Sequence, residues 1–427
     1  MNILFIACYS PLINNSASIE TLMYLNSLCS IKENKIHLLT VDFPKNSIYY
    51  DENILKMLDK KVIIHKVSGG KVFNKIIPKK AGLSNNKDIY KASKKNIILR
   101  NIKNKIIFPD MYYLWSKKAC DLGKEIIKSE SIDIIFSMHE PPSSHLCALN
   151  LKKKFKTIPW VTYWSDPWMQ DSTRENIGFI RGKIEGNMEK EVVKNSDSFI
   201  FVTKQNADAF KHKYNIQKEK IHLLTRGYDE KLYEKLSKEE IPSLIVKEKI
   251  NIVYTGEIFK KLRNIQPFIE ALEEIRINEN DLYKKLNIMF FGNIDDENLK
   301  LRLNNLEVAN VNSRIPFNKA LKYMINSEIL LIFGNKNSKQ IPAKIYDYFG
   351  ARGFIQVILG DENDPLKHLT DKNEKCKVSL NNKEDIIKSL KQNIEKIKRY
   401  KESKPLEEYK WENVTKKLYN ILKEVEK

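Results

Sequence analysis

Short apolar runs alternate with longer amphipathic stretches along most of the chain, the pattern of parallel strands joined by crossover helices. In the first half, runs at 2–8, 35–41, 62–67, 132–138, 160–163, 198–202 and 221–224 predict strands. Between them, 19–30, 114–129 and 208–214 carry helical periodicity. A charged, poorly apolar stretch near 229–249 interrupts the pattern, which then restarts. Strands are expected at 251–254, 287–291, 308–311, 329–333, 354–358 and 377–380, with helices at 267–277, 319–326 and 343–351. One more amphipathic helix closes the chain, with Trp411, Val414, Leu418, Ile421 and Leu422 near one face. The fold class is α/β: two Rossmann-like domains, 1–228 and 251–404, with a linker at 229–250 and a C-terminal helix at 405–427. A chain of 427 residues is too long for one ordinary core and suits two of this size. Periodicity gives neither the strand order nor the domain that the last helix covers.

Open α/β sheets bind ligands at the carboxyl ends of their strands, so the loops that follow strands are the candidates for chemistry. The first, 9–18, offers Ser16, Ala17 and Ser18 at the start of a helix. Small residues there suit a phosphate approached by backbone N–H groups, although an ordinary helix cap by Ser16 or Ser18 explains them equally well. The loop lacks the glycines of a dinucleotide fingerprint. The second loop puts His139 and Glu140 at a strand end before Pro141 and Pro142. There the imidazole is placed to hydrogen-bond a sugar hydroxyl or shuttle a proton. The third brings Asp166 out of a strand between Trp164 and Trp168, a carboxylate flanked by aromatic faces of the kind that stack on sugars.

In the second half, Gly256 permits close backbone approach and is followed by Lys260, Lys261 and Arg263, three cations suited to a diphosphate. Downstream, Gln340, Ile341, Pro342, Ala343 and Lys344 open a helix whose N-terminus attracts anions. Asp347 lies one turn into it, ready to accept hydrogen bonds from ribose hydroxyls.

Charge adds a partner class. With 74 Lys and Arg against 54 Asp and Glu, the net charge of +20 favours anionic partners. The excess is concentrated in a basic insertion, 71–110, whose eleven basic residues face two acids. Aliphatic residues interleave with it, as on a peripheral membrane contact, whereas nucleic-acid binders interleave aromatics, so no nucleic acid is expected. The five cysteines are scattered and match no metal-ligand spacing, and Asp295–Asp296 reads as a loop cap, so no metal is expected. The apolar start, 1–8, is too short for a secretory leader and no run is long enough to span a bilayer, which predicts a cytoplasmic protein, possible at the membrane's inner face.

Five stretches together resemble the retaining GT-B glycosyltransferases of family 4 and its relatives. IIFPDMYYLW (106–115), SMHEPPSSH (137–145) and PWVTYWSDPW (159–168) look like the acceptor-domain pattern. YTGEIFKKLRN (254–264) looks like the start of the donor domain, and IPAKIYDYFGARGFIQVI (341–358) is similar to the form IP-x-K-[LI]-[YF]-E-Y-x-A-x-G-x-P-[VI]-[IL]. The resemblance implies two domains facing each other across a cleft, and transfer of a sugar from a UDP- or GDP-linked donor to a glycan or lipid-linked acceptor in surface-polysaccharide synthesis. It needs no metal or further cofactor. His139 then corresponds to the histidine that contacts the transferred sugar and Asp166 assists it. Glu140, Trp164 and Trp168 fall on the acceptor side. The cations at 260–263 correspond to the diphosphate site, and Asp347 to the second acid of a pair whose first position is here Lys339. A sugar-nucleotide 2-epimerase of similar architecture is the alternative; a non-enzymatic basic nucleic-acid binder is a weaker one.

Overall fold

The computed structural model describes residues 1–79, 108–171, 174, 177–337 and 339–426. Most of the basic insertion, 80–107, lies outside them. The chain divides into two compact units, the first made of Met1–Thr225 with Val414–Lys427, the second of Arg226–Asn413. The stretch 229–250, expected as a linker, thus belongs with the second unit. There Asp229 caps the helix Glu230–Ser237, and the buried Tyr233 donates its hydroxyl to the carbonyl of Asp347 at 2.8 Å. The C-terminal helix buries Val414, Leu418 and Leu422 as its periodicity predicts, and from Val414 onward it groups with the first unit.

The first unit carries a seven-stranded sheet of β1 (Asn2–Ile6), β2 (Lys35–Asp42), β3 (Ile63–Ser68), β4 (Ile134–Met138), β5 (Trp160–Trp164), β6 (Ser198–Phe201) and β7 (Ile221–Leu223). Its order is β3-β2-β1-β4-β5-β6-β7, and every pairing is parallel. The second carries β8 (Ile250–Thr255), β9 (Leu286–Phe291), β10 (Ala309–Asn312), β11 (Ile329–Phe333), β12 (Phe354–Ile358) and β13 (Cys376–Ser379), ordered β10-β9-β8-β11-β12-β13 and again all parallel. β1, β4, β5, β9, β11 and β12 are buried along almost their whole length, which is why they appear in the sequence as continuous apolar runs rather than alternating ones.

In each sheet the order reverses direction at one point, between β1 and β4 in the first and between β8 and β11 in the second. A crevice opens at the carboxyl edge of such a switch point, because the two flanking crossovers leave in opposite directions. The loops delivered there are 7–15 and 139–142 in the first unit, and 256–265 and 334–343 in the second. Four of the stretches singled out by sequence therefore converge in pairs. The five cysteines are all buried and unbonded.

Candidate functional site

At the first switch point His139 leaves β4. Its backbone N–H donates to the Tyr163 carbonyl at 2.8 Å, and Ser165 Oγ donates to its carbonyl at 3.3 Å, which ties the start of the loop after β4 to β5 and the loop after it. The imidazole is 6% exposed and stacks on the Trp164 indole, with ring centres 5.4 Å apart and planes 20° from parallel. Neither ring nitrogen has a hydrogen-bond partner among the described residues. Burial, helped by the Arg174 guanidinium, pushes its pKa down to about 3. The group is therefore a neutral hydrogen-bonding imidazole rather than the proton shuttle that the sequence allowed.

His145, one ring away at 5.6 Å, is held behind it. Trp160 Nε1 donates to Ser137 Oγ at 2.8 Å, which leaves that hydroxyl to donate to His145 Nδ1, also at 2.8 Å. The His145 proton then sits on Nε2. Asp110 fastens the other end of the loop: its carboxylate accepts the Ser143 N–H at 3.0 Å and the Ser143 hydroxyl at 2.7 Å, and burial raises its pKa to about 6. Glu140, at φ 79°, stands partly exposed between His139 and the prolines, and Asp166 is partly exposed just past β5.

Two expectations change here. Trp164 and Trp168 are fully buried, with indole N–H groups engaged by Thr162 Oγ1 and Glu185 at 2.9 Å each, so neither offers a face to a sugar. They are core, and Trp164 serves the site by backing His139. The helix Ser16–Ser30 is capped by Asn15, whose side chain accepts the Ser18 N–H at 2.7 Å. That donor is thus engaged, Ala17 and Ser18 are buried, and of the three expected phosphate contacts only Ser16 is exposed.

Sequence reasoning also missed what holds Trp168, Met169 and Arg174. Glu185, fully buried on the helix Phe179–Asn195, accepts from Trp168 Nε1 and pairs with Arg174 at 2.8 Å and Arg181 at 2.5 Å, while Arg181 reaches the Pro109 carbonyl at 3.0 Å. Glu189, one turn on, accepts the Met169 N–H at 2.8 Å. The signal was available: Arg181, Glu185 and Glu189 recur at a spacing of four.

At the second switch point Gly256 leaves β8 with φ 128°, a conformation that L side chains rarely adopt. A Cβ there would lie 2.6 Å from Lys344 Nζ. That ammonium arrives from the helix Lys344–Gly350 and sits 3.9 Å above the centre of the Tyr254 ring, with no hydrogen bond or ion pair among the described residues. Burial and the nearby Arg263 guanidinium hold its pKa well below the usual lysine range. Arg263 is oriented by neutral oxygens, with Nε on Asn335 Oδ1 at 2.8 Å and Nη1 on the Glu257 carbonyl at 2.6 Å. The Lys336 N–H donates to the Leu262 carbonyl at 2.9 Å and ties the loops after β8 and β11 together.

Of the three expected cations, Arg263 is the one whose side chain hydrogen bonds fix at the turn. Lys260 turns away, its Nζ 2.5 Å from Asp296 Oδ2 and its N–H on Asp295 Oδ1 at 2.8 Å, while Lys261 is exposed. Asp296 caps the helix Glu297–Asn304, the structural role its sequence context suggested. Pro342 is buried, with partly buried Gln340, Ile341 and Ala343 beside it, and the helix they lead into is under two turns long. Asp347 lies on that helix, its pKa raised to about 7 by burial against the opposing pull of Arg226 and Lys344.

Residues 85–232 match the model of Glycosyltransferase Family 4. No curated protein matches by sequence. Among solved structures, a glycosyltransferase from Rickettsia africae superposes with a TM-score of 0.63 at 12% identity, over 99% of this chain and 98% of that one. The family match covers 148 of 427 residues, and over its whole length the chain shares the GT-B fold. The same GT-B likeness extends to Anabaena Alr3699/HepE in complex with UDP (TM-score 0.58, 9% identity, 100% and 98% covered). It extends also to UDP-GlcNAc 2-epimerase from Neisseria meningitidis bound to UDP-GlcNAc (0.59, 12%, 99% and 100%). These likenesses are of fold. Within this GT-B chain, His139 and Asp166 belong to the first unit, and Arg263, Lys344 and Asp347 to the second.

Proposed function

We propose that this family-4-like chain transfers a sugar from a nucleoside-diphosphate sugar to a glycan or lipid-linked acceptor, with retention of anomeric configuration and without a metal. The observation that carries the reading is the Arg263 guanidinium beside the Lys344 amine, which approaches Gly256, with no carboxylate paired to either among the described residues. Such a pair suits a diphosphate, whose departing charge must be stabilised as the glycosidic bond to the donor breaks. Asp347, one turn beyond Lys344, is the proposed acceptor for ribose hydroxyls. UDP and UDP-GlcNAc bound to proteins of the same fold support a uridine nucleotide as the first to try. His139, neutral and unpartnered, is the proposed contact to the transferred sugar, and Asp166 and Glu140 the proposed acceptor contacts. Surface-polysaccharide synthesis at the inner face of a membrane is the setting that this reading implies.

Isothermal titration of UDP, GDP and their sugar conjugates against wild type, Arg263→Ala and Asp347→Ala tests it. Binding of one nucleotide series that both substitutions weaken supports the reading; no binding of any series by the wild type overturns it. The epimerase likeness supplies a second reading with the same donor site. It is separated by incubating the sugar nucleotide alone: an epimerised sugar nucleotide favours it, whereas acceptor-dependent release of nucleoside diphosphate favours transfer.

A further inference from the structure

One tyrosine of the second unit carries two basic side chains. Gly256 leaves β8 at φ 128°, and the Cβ it lacks leaves room for the Lys344 amine, which would lie 2.6 Å from that atom. The amine packs 3.9 Å above the centre of the Tyr254 ring, with no hydrogen-bond or ion-pair partner among the described residues. Lys344 is only partly buried, so protons from solvent can reach it. Arg263 is fixed on the hydroxyl side of the same ring. Its Nη1 donates to the Tyr254 hydroxyl at 3.4 Å and to the Glu257 carbonyl at 2.6 Å, and its Nε to Asn335 Oδ1 at 2.8 Å.

Like charges set this close, away from bulk water, disfavour each other's charged form. Arginine cannot shed its proton, whereas lysine does so readily when desolvated. The surroundings do not restore the second charge. Burial pushes the Tyr254 hydroxyl up to about 12, so it stays neutral. Glu257, after β8, and Asp347, on the lysine's own helix, are the acids that act on Lys344. Both draw its pKa upward, but burial and Arg263 outweigh them. Glu257 is partly exposed, and its carboxylate accepts the Asn293 N–H at 3.2 Å. Without a ligand, the crevice therefore holds one fixed positive charge beside a neutral amine.

A diphosphate reverses that balance, because negative charge nearby favours the protonated form of an amine. We propose that a nucleoside-diphosphate sugar binds here with uptake of a proton, taken from solvent by Lys344 Nζ, which becomes the second cation beside Arg263. The second charge is then present only while a polyanion is there to hold it. This coupling rests on the nucleotide-sugar reading of the crevice.

Calorimetry of UDP-GlcNAc and GDP-mannose at pH 8 tests it, in Tris and in HEPES, whose ionisation enthalpies differ. Both phosphates of these ligands are esterified and exchange no proton near that pH, and Asp347, with a pKa of about 7, is already largely ionised. The buffer-dependent part of the binding enthalpy then counts protons. Wild type should take up about one proton per ligand bound, and its affinity should fall by up to about tenfold as pH rises from 8 to 9. Lys344→Met should bind more weakly and take up none. Lys344→Arg carries a charge that cannot be shed, so it should bind without uptake and with level affinity over the same range. That variant decides the matter if a lowered melting temperature shows the methionine variant to be misfolded. Wild-type binding with no proton exchanged overturns the coupling and leaves the nucleotide-sugar reading intact. Uptake that persists in folded Lys344→Met or in Lys344→Arg does the same. Failure of both ligands to bind removes the reading and the coupling together.

Discussion

The two switch points share one architecture and differ in electrostatic character. Around His139 the groups are neutral and aromatic: an imidazole pushed to about pKa 3, a second imidazole held in one tautomer by Ser137, and the Trp164 face behind both. Around Gly256 they are cationic and set on a glycine turn, with Arg263 and Lys344 in contact with neutral oxygens and an aromatic face. Burial explains both. In the first unit it removes charge from groups that can lose it, leaving hydrogen-bonding surface suited to hydroxyls. In the second, the guanidinium cannot be neutralised and keeps an unmatched positive charge where an anion would fit. One fold thus presents a neutral and a charged crevice because different residues follow the same strand ends.

The sharpest way to break that contrast is to discharge the second crevice. Replacing Arg263 and Lys344 together with Ala should weaken nucleoside-diphosphate binding by about 3 kcal/mol, roughly a hundredfold in calorimetric Kd. His139→Ala, by contrast, should leave Kd for the nucleotide alone within about twofold, the tolerance of a residue that makes no phosphate contact. If His139→Ala costs more than the double variant, the assignment of charge recognition to the second unit is wrong.

Gly256→Ala probes the same crevice without touching a charge. Its Cβ would meet Lys344 Nζ at 2.6 Å and its φ of 128° is strained for any L side chain, so the ammonium must shift and the turn must relax. Nucleotide affinity should fall about tenfold, with strain of about 2 kcal/mol appearing in the denaturant midpoint. Unchanged affinity would mean that Lys344 does not need this position.

The fold was largely legible and the site only partly. Each of the thirteen strands among the described residues overlaps a run expected to form one, and the buried ones such as β1, β11 and β12 leave the clearest apolar trace. The helix Phe179–Asn195 left almost none: its buried face carries the carboxylates of Glu185 and Glu189, which read as solvent-facing until Arg174, Arg181 and Trp168 are seen to satisfy them. Aromatic residues beside a strand-end Asp look alike whether they stack on a ligand or fill a core, so Trp164 and Trp168 were misassigned. Register within 260–263 was beyond reach for a similar reason. What separates Lys260 from Arg263 is Asp296 on a later helix and Asn335 after a distant strand. Convergence of the loop pairs depends on strand order, which no local pattern encodes.

Acidity sharpens the contrast further. Asp347 has a folded pKa of about 7 against an ordinary value of 3.8, so between those pH values the native state holds a proton that the unfolded chain has released. Stability from this group is complete below about pH 4 and is lost as pH rises through 7. Asp347→Asn removes that loss, and because the carboxyl is only partly buried the gain at pH 8 relative to pH 4 should be about 2 kcal/mol rather than the full value of the shift. Urea titrations at the two pH values measure it. Equal stability of both proteins at both pH values would mean that Arg226 compensates the burial completely.

His139 should show the opposite sign at smaller size. Its folded pKa of about 3 lies below the ordinary 6.5, so between those values the unfolded chain binds a proton that the native state refuses. Stability is full above pH 6.5 and falls as pH drops toward 3. His145, also depressed by burial, shares the effect, which leaves part of the acid sensitivity in place when His139 alone is changed. His139→Leu should therefore gain about 1 kcal/mol over wild type at pH 4.5 and differ little at pH 7, because the ring nitrogens it removes had no partner to lose. If the same variant loses turnover while nucleotide Kd and neutral-pH stability hold, the unpartnered imidazole is kept for the sugar. Turnover that survives would make it a packing residue behind Trp164 and leave the first crevice without its central contact.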